Sequence, residues 1–426
     1  MLHSSDSMRA LLITYVWPEP QSSAAGIRTL DLIAALQSMG GVVEVGSPSA
    51  FNAHSETLQR RQIPIHSLRP NSQDLPALID QVKSRGRFDV VVFDRFVTEE
   101  MFGWVFASKS PDTTRIVDTQ DLHFLRRYRQ AACESGRDFR EFIAEIPPST
   151  DSSLLRELGA IIRSDLSFVL SDHEAHLLTR RFGVDSRKIM LSRIGTLGHP
   201  VGPSDRKGFS WIGNHRHPPN ADSLFWLATE LWPAIRAKLP HGEIDVYGAY
   251  PSRVTGQFHD PGRGLIIHGP AESAIESIAR SRVLLAPIRF GAGIKGKIID
   301  AWASGTPVCA TSMASEGMMN QTPAEWGGLI GDDVEAFTTA AILLHEDPRI
   351  WQTCFQNALR LVEGAFSREN AFLSIQAGIR QANENKATWT RGVQDELNRF
   401  LGFRANEYFS KWIAEKEKSA HNRGVF

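Results

Sequence analysis

Short apolar runs, each released into a small-residue loop and then into residues spaced as on a helix, recur along most of this chain. The first, residues 9–15 (RALLITY), is bounded by Pro18 and Pro20. It is apolar throughout rather than alternating, so it reads as a strand buried on both faces of a parallel sheet. The loop 21–26 (QSSAAG) follows. Ile27, Leu30, Ile33, Ala34 and Leu36 then stand at helical spacing, Gly40 and Gly41 end the helix, and 42–45 opens a second strand. This is a β–loop–α–β unit. Runs at 89–93, 115–117 and 166–170 continue it. Residues 195–208 (GTLGHPVGPSDRKG) form the clearest linker. The pattern then restarts, with strands at 209–212, 243–247, 265–268, 283–287 and 308–311 and a helix over 222–238. The fold class is therefore α/β, with two doubly wound domains. One spans 8–200 and the other 207–365, and helices occupy 366–426.

Composition narrows the function classes. Lys and Arg total 47 against 48 Asp and Glu, a formal net charge of −1. A dedicated nucleic-acid binder is not expected without an excess of positive charge to replace phosphate counterions. The 3 cysteines, Cys133, Cys309 and Cys354, are widely spaced and suggest neither a disulfide framework nor a zinc site. A reducing compartment, the cytoplasm, is expected. No run reaches the roughly 18 apolar residues of a membrane span. The polar start, residues 1–7, does not look like a signal peptide. In the tail, Trp389, Val393, Leu397, Phe400, Leu401, Tyr408 and Trp412 are apolar positions in a charged background. They read as helices packed on the domains, with a peripheral membrane or partner contact as the second reading. The mixed charges weigh against the membrane.

Residues 283–305 (VLLAPIRFGAGIKGKIIDAWASG) carry the most chemistry. A strand runs into a loop with Gly291, Gly293 and Gly296, and a helix is expected from Ile294 to Gly305. Glycines at a helix N-terminus let backbone N–H groups approach an anion, and the helix dipole adds partial positive charge. Lys295 and Lys297 add two full charges. The place, beyond the carboxyl end of a parallel strand, is where α/β proteins bind ligands. This reads as a phosphate site. Gly291-x-x-x-x-Gly296-Lys297 matches the start of a P-loop, but Ile298 stands where the magnesium-binding Ser or Thr belongs, which disfavours an NTPase. Asp300, early on the helix, can accept hydrogen bonds from two ribose hydroxyls while the loop holds a diphosphate. A dinucleotide oxidoreductase is disfavoured, because the first turn lacks G-x-G-x-x-G.

The stretches 209–223 (FSWIGNHRHPPNADS), 243–251 (EIDVYGAYP), 265–273 (LIIHGPAES), 283–318 and, in the first domain, 11–36 resemble GT-B glycosyltransferases. The likeness is to family-4-like enzymes with a group 1 C-terminal domain. It implies two Rossmann-like domains facing a cleft, the second holding a nucleoside diphosphate sugar and the first most of a hydroxyl-bearing glycan or lipid-linked acceptor. It also implies retention of anomeric configuration, no cofactor and no bound metal. In the family a Glu-x7-Glu motif spans this loop and helix. Asp300 matches its second, ribose-binding acid, and Ala292 replaces its first, sugar-binding acid. Sugar recognition then falls to loop amides or to Ser315 and Glu316, and loss of activity is the other outcome. Gly213, Asn214 and Arg216 match donor-phosphate positions, with Ile294 in the donor loop. Arg289 is similarly placed. In the first domain, Asp118, Asp121 and His123 (DTQDLHF, 118–124) match cleft positions, with His123 or Asp121 orienting the acceptor. Ser22, Gly26 and Arg28 are candidates for phosphate or acceptor contact. Lys295 and Lys297 would stabilise the departing diphosphate. The expected activity is retaining glycosyl transfer to a hydroxyl, in cell-envelope polysaccharide or glycolipid synthesis. The other readings are a nucleotide-sugar epimerase on the same fold and a non-catalytic nucleotide-sugar-binding scaffold.

Overall fold

The computed structural model describes residues 7–84, 86–202, 206–251, 253–318, 325–388 and 393–422. Two parallel sheets form it. The first holds β1 (Arg9–Ile13), β2 (Val42–Ser47), β3 (Ile65–Ser67), β4 (Val90–Asp94), β5 (Thr114–Asp118), β6 (Leu166–Val169) and β7 (Ile189–Leu191), in the order β3-β2-β1-β4-β5-β6-β7. The second holds β8 (Lys207–Ile212), β9 (Ile244–Tyr247), β10 (Leu265–Ile267), β11 (Ser281–Ala286), β12 (Val308–Ala310) and β13 (Gly328–Ile330), in the order β10-β9-β8-β11-β12-β13. Strand order reverses between β1 and β4, and again between β8 and β11. Each reversal opens a crevice at the carboxyl ends of the strands.

The apolar runs work as the parallel-sheet reading requires. Along β4, Val90 and Val92 pack into a cluster with Ala10, Leu12 and Leu36, while Val91 and Phe93 pack into another with Leu11, Ile79 and Phe106. One strand thus feeds cores on both faces of the sheet. Three strands carry no sequence signal: β3, β7 and β13. Each has three residues at a sheet edge, too short to show a period, and none has the unbroken apolar run flanked by turn residues that marks the equally short edge strand β10. The helix expected over 222–238 begins earlier, at Pro218, because proline favours the first helical turn. It runs on through a π-turn at Leu227–Leu231 to Lys238.

After the second domain, the helix Arg368–Thr388 returns to the first. Its Ile375, Ile379 and Ala382 join the first domain's core. The two crossings pair side by side: Thr196 N–H donates to Phe366 O (2.9 Å) and Arg368 N–H to Thr196 O (3.1 Å). A Cβ on Gly195 would come 2.7 Å from Arg368 Cα, so glycine permits this pairing. A last helix, Val393–Asn422, lies on the helices Arg95–Lys109 and Ser152–Arg163. Trp389 lies outside the described residues. Among those described, no helix is long and apolar enough to cross a membrane.

Candidate functional site

The loops after β8 and β11 flank the crevice of the second sheet. The helix Gly296–Ser304 begins there, two residues later than the sequence suggests, with Lys295 at its N-cap and Gly305 (φ 77°) closing it. No side chain among the described residues caps its first turn. Its leading N–H groups and dipole therefore face the crevice. Lys295 Nζ folds back onto the carbonyls of Gly293 (2.6 Å) and Ala292 (3.2 Å). Lys297 Nζ lies 2.9 Å from Asn220 Oδ1 and 4.6 Å from the centre of the Trp211 ring. Burial lowers both lysines, Lys297 to about 7 with help from Lys295 beside it. Burial alone raises the Asp300 carboxyl to about 7. This end of the helix is thus short of a compensating anion. A ligand bringing phosphate charge to Lys297 and hydroxyl donors to Asp300 would satisfy both.

The first domain presents Asp121 and His123 at the carboxyl end of β5. Burial alone would raise the Asp121 carboxyl. Arg126, whose Nε donates to Asp121 Oδ2 (2.6 Å), and His123 hold it well below the usual range instead. His123 Nε2 lies 3.1 Å from Asp121 Oδ1, and its ring meets Phe96 edge-on at 5.7 Å. Burial pulls the imidazole down to about 4, so it is neutral at pH 7. Behind them the Glu174 carboxylate accepts the Leu122 N–H (2.9 Å), and burial pushes its own value up to about 7.

The glycine-rich loop also spans the two domains. A Cβ on Gly293 (φ 64°) would stand 2.9 Å from Asp121 Cβ, and one on Gly296 2.8 Å from Ala24 Cβ. These glycines therefore serve domain contact as well as anion approach. Ala292, where the family places its sugar-binding acid, packs among Leu122, Leu125, Val169 and Leu178 of the first domain. A carboxylate there would be buried in hydrocarbon. Arg129 reaches across from the helix His123–Glu134. Its Nη1 donates to Gly291 O (2.9 Å) and to Glu316 Oε1 (2.6 Å), and its Nη2 to Glu316 Oε2 (2.7 Å). Tyr250 OH lies 3.0 Å from Glu19 Oε2.

Several expected contacts take other roles. Arg28 and Asp118 do not line the cleft. They form an ion pair with side chains 1% and 0% exposed, Nη2 to Oδ1 at 3.1 Å. Arg28 also holds Ser192 (2.9 Å), which bonds Ser374 on the returning helix. This pair anchors that helix to the first sheet. Ser22 bonds Glu19 (2.8 Å), and Gly26 is required because the Glu19 backbone passes 2.5 Å from where a Cβ would sit. The Ser315 hydroxyl is buried on Ser312 O (3.1 Å), and Ile294 packs in the second domain's core. Arg289 is tied to Asp222 (2.9 Å). Gly213 lets Asn220 approach, the Asn214 carboxamide accepts from Arg216 N–H (2.9 Å), and the Arg216 guanidinium covers the Tyr250 ring at 4.1 Å. Asn220 and Trp211 carry no signal of their own in the sequence, whereas Arg129 stands in the arginine-rich run 123–140, which reads there as a solvated helix face or a patch for an anionic acceptor. The first two lie within the matching stretch 209–223, where PPN opens a helix next to the crevice. Among the described residues, no three His, Cys, Asp or Glu side chains gather as a metal-binding group.

Residues 206–347 match the family model described as Glycosyl transferases group 1. No curated protein sequence matches the chain. Among solved structures, it is similar to sucrose-phosphate synthase from Thermosynechococcus elongatus, at 18% identity and a TM-score of 0.66, over 88% of this chain and 98% of that one. It is also similar to HepE of Anabaena in complex with UDP-glucose, at 13% and 0.65 over 88% and 99%. The catalytic domain of starch synthase IV from Arabidopsis thaliana, bound to ADP and acarbose, aligns at 12% and 0.59 over 90% and 100%. The fold is thus GT-B.

Proposed function

We propose that this chain, a glycosyltransferase by its group 1 domain at residues 206–347 and its GT-B fold, moves a sugar with retention from a nucleoside diphosphate to a hydroxyl acceptor. The carrying observation is the uncapped start of the helix Gly296–Ser304, with Lys297 and Asp300 on the same helix both drawn toward neutrality by burial. The diphosphate lies against the leading amides, with Lys295 and Lys297 taking the charge that develops as it departs. This role needs no metal. Asp300 receives the ribose hydroxyls. The loop after β8, with Gly213 and Asn214, borders the phosphates, while Arg216 stays over the Tyr250 ring. His123, neutral and steadied by Asp121, orients the acceptor, whose hydroxyl attacks on the face the diphosphate leaves and passes its proton to a departing phosphate oxygen. With Ala292 committed to packing, recognition of the sugar passes to the loop amides and Glu316. HepE was solved with UDP-glucose, which supports a nucleotide sugar as donor. The acceptor is a glycan or lipid-linked hydroxyl of the cell envelope, met in the cytoplasm or at the membrane's inner face.

Thermal-shift titration with UDP, GDP, dTDP and ADP, with and without EDTA, tests the site. One diphosphate should stabilise the protein saturably and independently of EDTA, and Asp300→Ala should weaken that binding about tenfold or more. Failure of every diphosphate at millimolar concentration would overturn the assignment. Donor consumed without acceptor would point to an epimerase, and nucleotide bound without turnover to a scaffold.

A further inference from the structure

The last helix, Val393–Asn422, has two unlike faces. The inner face is held firmly. Phe403 is buried with the Arg115 and Arg163 guanidiniums 5.1 and 5.8 Å from its ring centre, and Arg399 Nη1 lies 3.5 Å from Asp165 Oδ1. A Cβ on Gly402 would sit 2.9 Å from Arg163 Cδ. The helix therefore cannot roll to hide its other side. On that other side Leu397, Phe400, Leu401, Tyr408, Phe409 and Trp412 are all exposed, Phe409 at 62% and Trp412 at 57%. Their spacing makes one apolar stripe along the helix. A stripe of this size, presented by a fixed helix, marks an interaction surface rather than scattered exposure.

We propose that this stripe docks against the same stripe of a second copy of the chain, the two helices antiparallel about a two-fold axis. The helix carries five acidic and five basic residues, so it has no cationic excess to hold it on an anionic bilayer. Toward the ends the charges instead complement each other under two-fold symmetry, and near the axis Arg404 is spread over the Phe400 and Tyr408 rings of its own helix at 5.9 and 5.1 Å. With the axis between Gly402 and Phe403, Val393 comes opposite Trp412 and Leu397 opposite Tyr408. Glu396 of one copy then comes beside Lys411 of the other, at both ends, where the Lys411 ammonium, already bonded to Glu407 of its own helix (2.7 Å), takes a second carboxylate. Such self-complementarity is what an isologous contact requires. With Val393, itself 87% exposed, the stripe offers on the order of 800 Å² of apolar side chain, the per-partner area of a standard interface.

Sedimentation equilibrium of the full-length protein across micromolar concentrations tests this. The wild type should run at the mass of two chains. Leu397→Glu with Trp412→Glu should run at the mass of one chain while keeping the wild-type circular-dichroism spectrum and a single cooperative melting transition. Lys411→Glu should raise the dissociation constant several-fold, and adding Glu396→Lys should restore it. That reciprocal rescue reads pairing rather than stability. A wild type that stays at one chain's mass at the highest concentration would overturn the proposal, as would a double glutamate variant that still dimerises. Monomeric wild type that sediments with phosphatidylcholine–phosphatidylglycerol vesicles, lost in the double variant, would overturn it in favour of a membrane.

Discussion

Lys297 and Asp300 stand three residues apart on one helix, and burial moves both toward neutrality near pH 7. For Lys297 the consequence lies in binding. At pH 8 the amine is largely neutral, and an incoming diphosphate favours its protonated form. Pyrophosphate binding at pH 8 should therefore take up protons, read calorimetrically as a heat that varies with the buffer's ionisation enthalpy. Affinity should fall by up to about tenfold per pH unit above 7. In Lys297→Met both effects should disappear. For Asp300 the consequence lies in stability. An unfolded Asp titrates near 4, whereas the folded one holds its proton to about 7. Between those values the folded state keeps a proton that the unfolded state has lost, so stability falls as pH rises through that window. Asp300→Asn cannot titrate. Its melting temperature should exceed the wild type's at pH 8 by about 2 °C or more, and the gap should close near pH 4. An equal gap at both pH values would contradict a titrating carboxyl.

At the scale of the element, the loop between β11 and the helix Gly296–Ser304 has two duties that separate by mutation. Gly293 holds φ at 64°, and a Cβ would meet Asp121 at 2.9 Å. Gly293→Ala should therefore push the loop off the first domain while leaving the nucleotide contacts of the second. Diphosphate affinity should change less than about threefold and kcat should fall about tenfold or more. Steady-state kinetics beside direct nucleotide binding reads the split. The loop's anion-binding character is legible in sequence because glycines, lysines and helix start are contiguous. Its second duty is not, because the partners are distant: Asp121 and Ala24 lie in the other domain. The same distance hides Arg28 and Asp118, 90 residues apart, which look like cleft charges in sequence and bury each other in the fold. Ala292 reads as a lost acid, although its surroundings are hydrocarbon side chains gathered from distant parts of the first domain. Strands are legible where they are buried on both faces, as β4 is; of the three-residue edge strands, β10 shows in its LII run while β3, β7 and β13 do not.

On the scale of the whole molecule, the two domains meet at a hinge and at a latch. The hinge is the paired crossing at Thr196 and Arg368. The latch is Arg129, whose side chain is 1% exposed and forks onto Glu316 across the crevice. Removing one partner of such a pair leaves a buried charge unmatched and costs about 3–5 kcal/mol, whereas replacing both with apolar groups is often neutral. Arg129→Met should therefore release the second domain, seen by small-angle scattering as a larger radius of gyration without donor. Arg129→Met with Glu316→Leu should bring the radius back toward that of the wild type, because no unmatched carboxylate then resists closure. If Glu316 also recognises the donor sugar, the double variant will close yet fail to transfer. Closure without transfer would then separate what Glu316 does for the shape of the protein from what it does for the reaction. Full activity in the closed double variant would move sugar recognition to the loop amides alone.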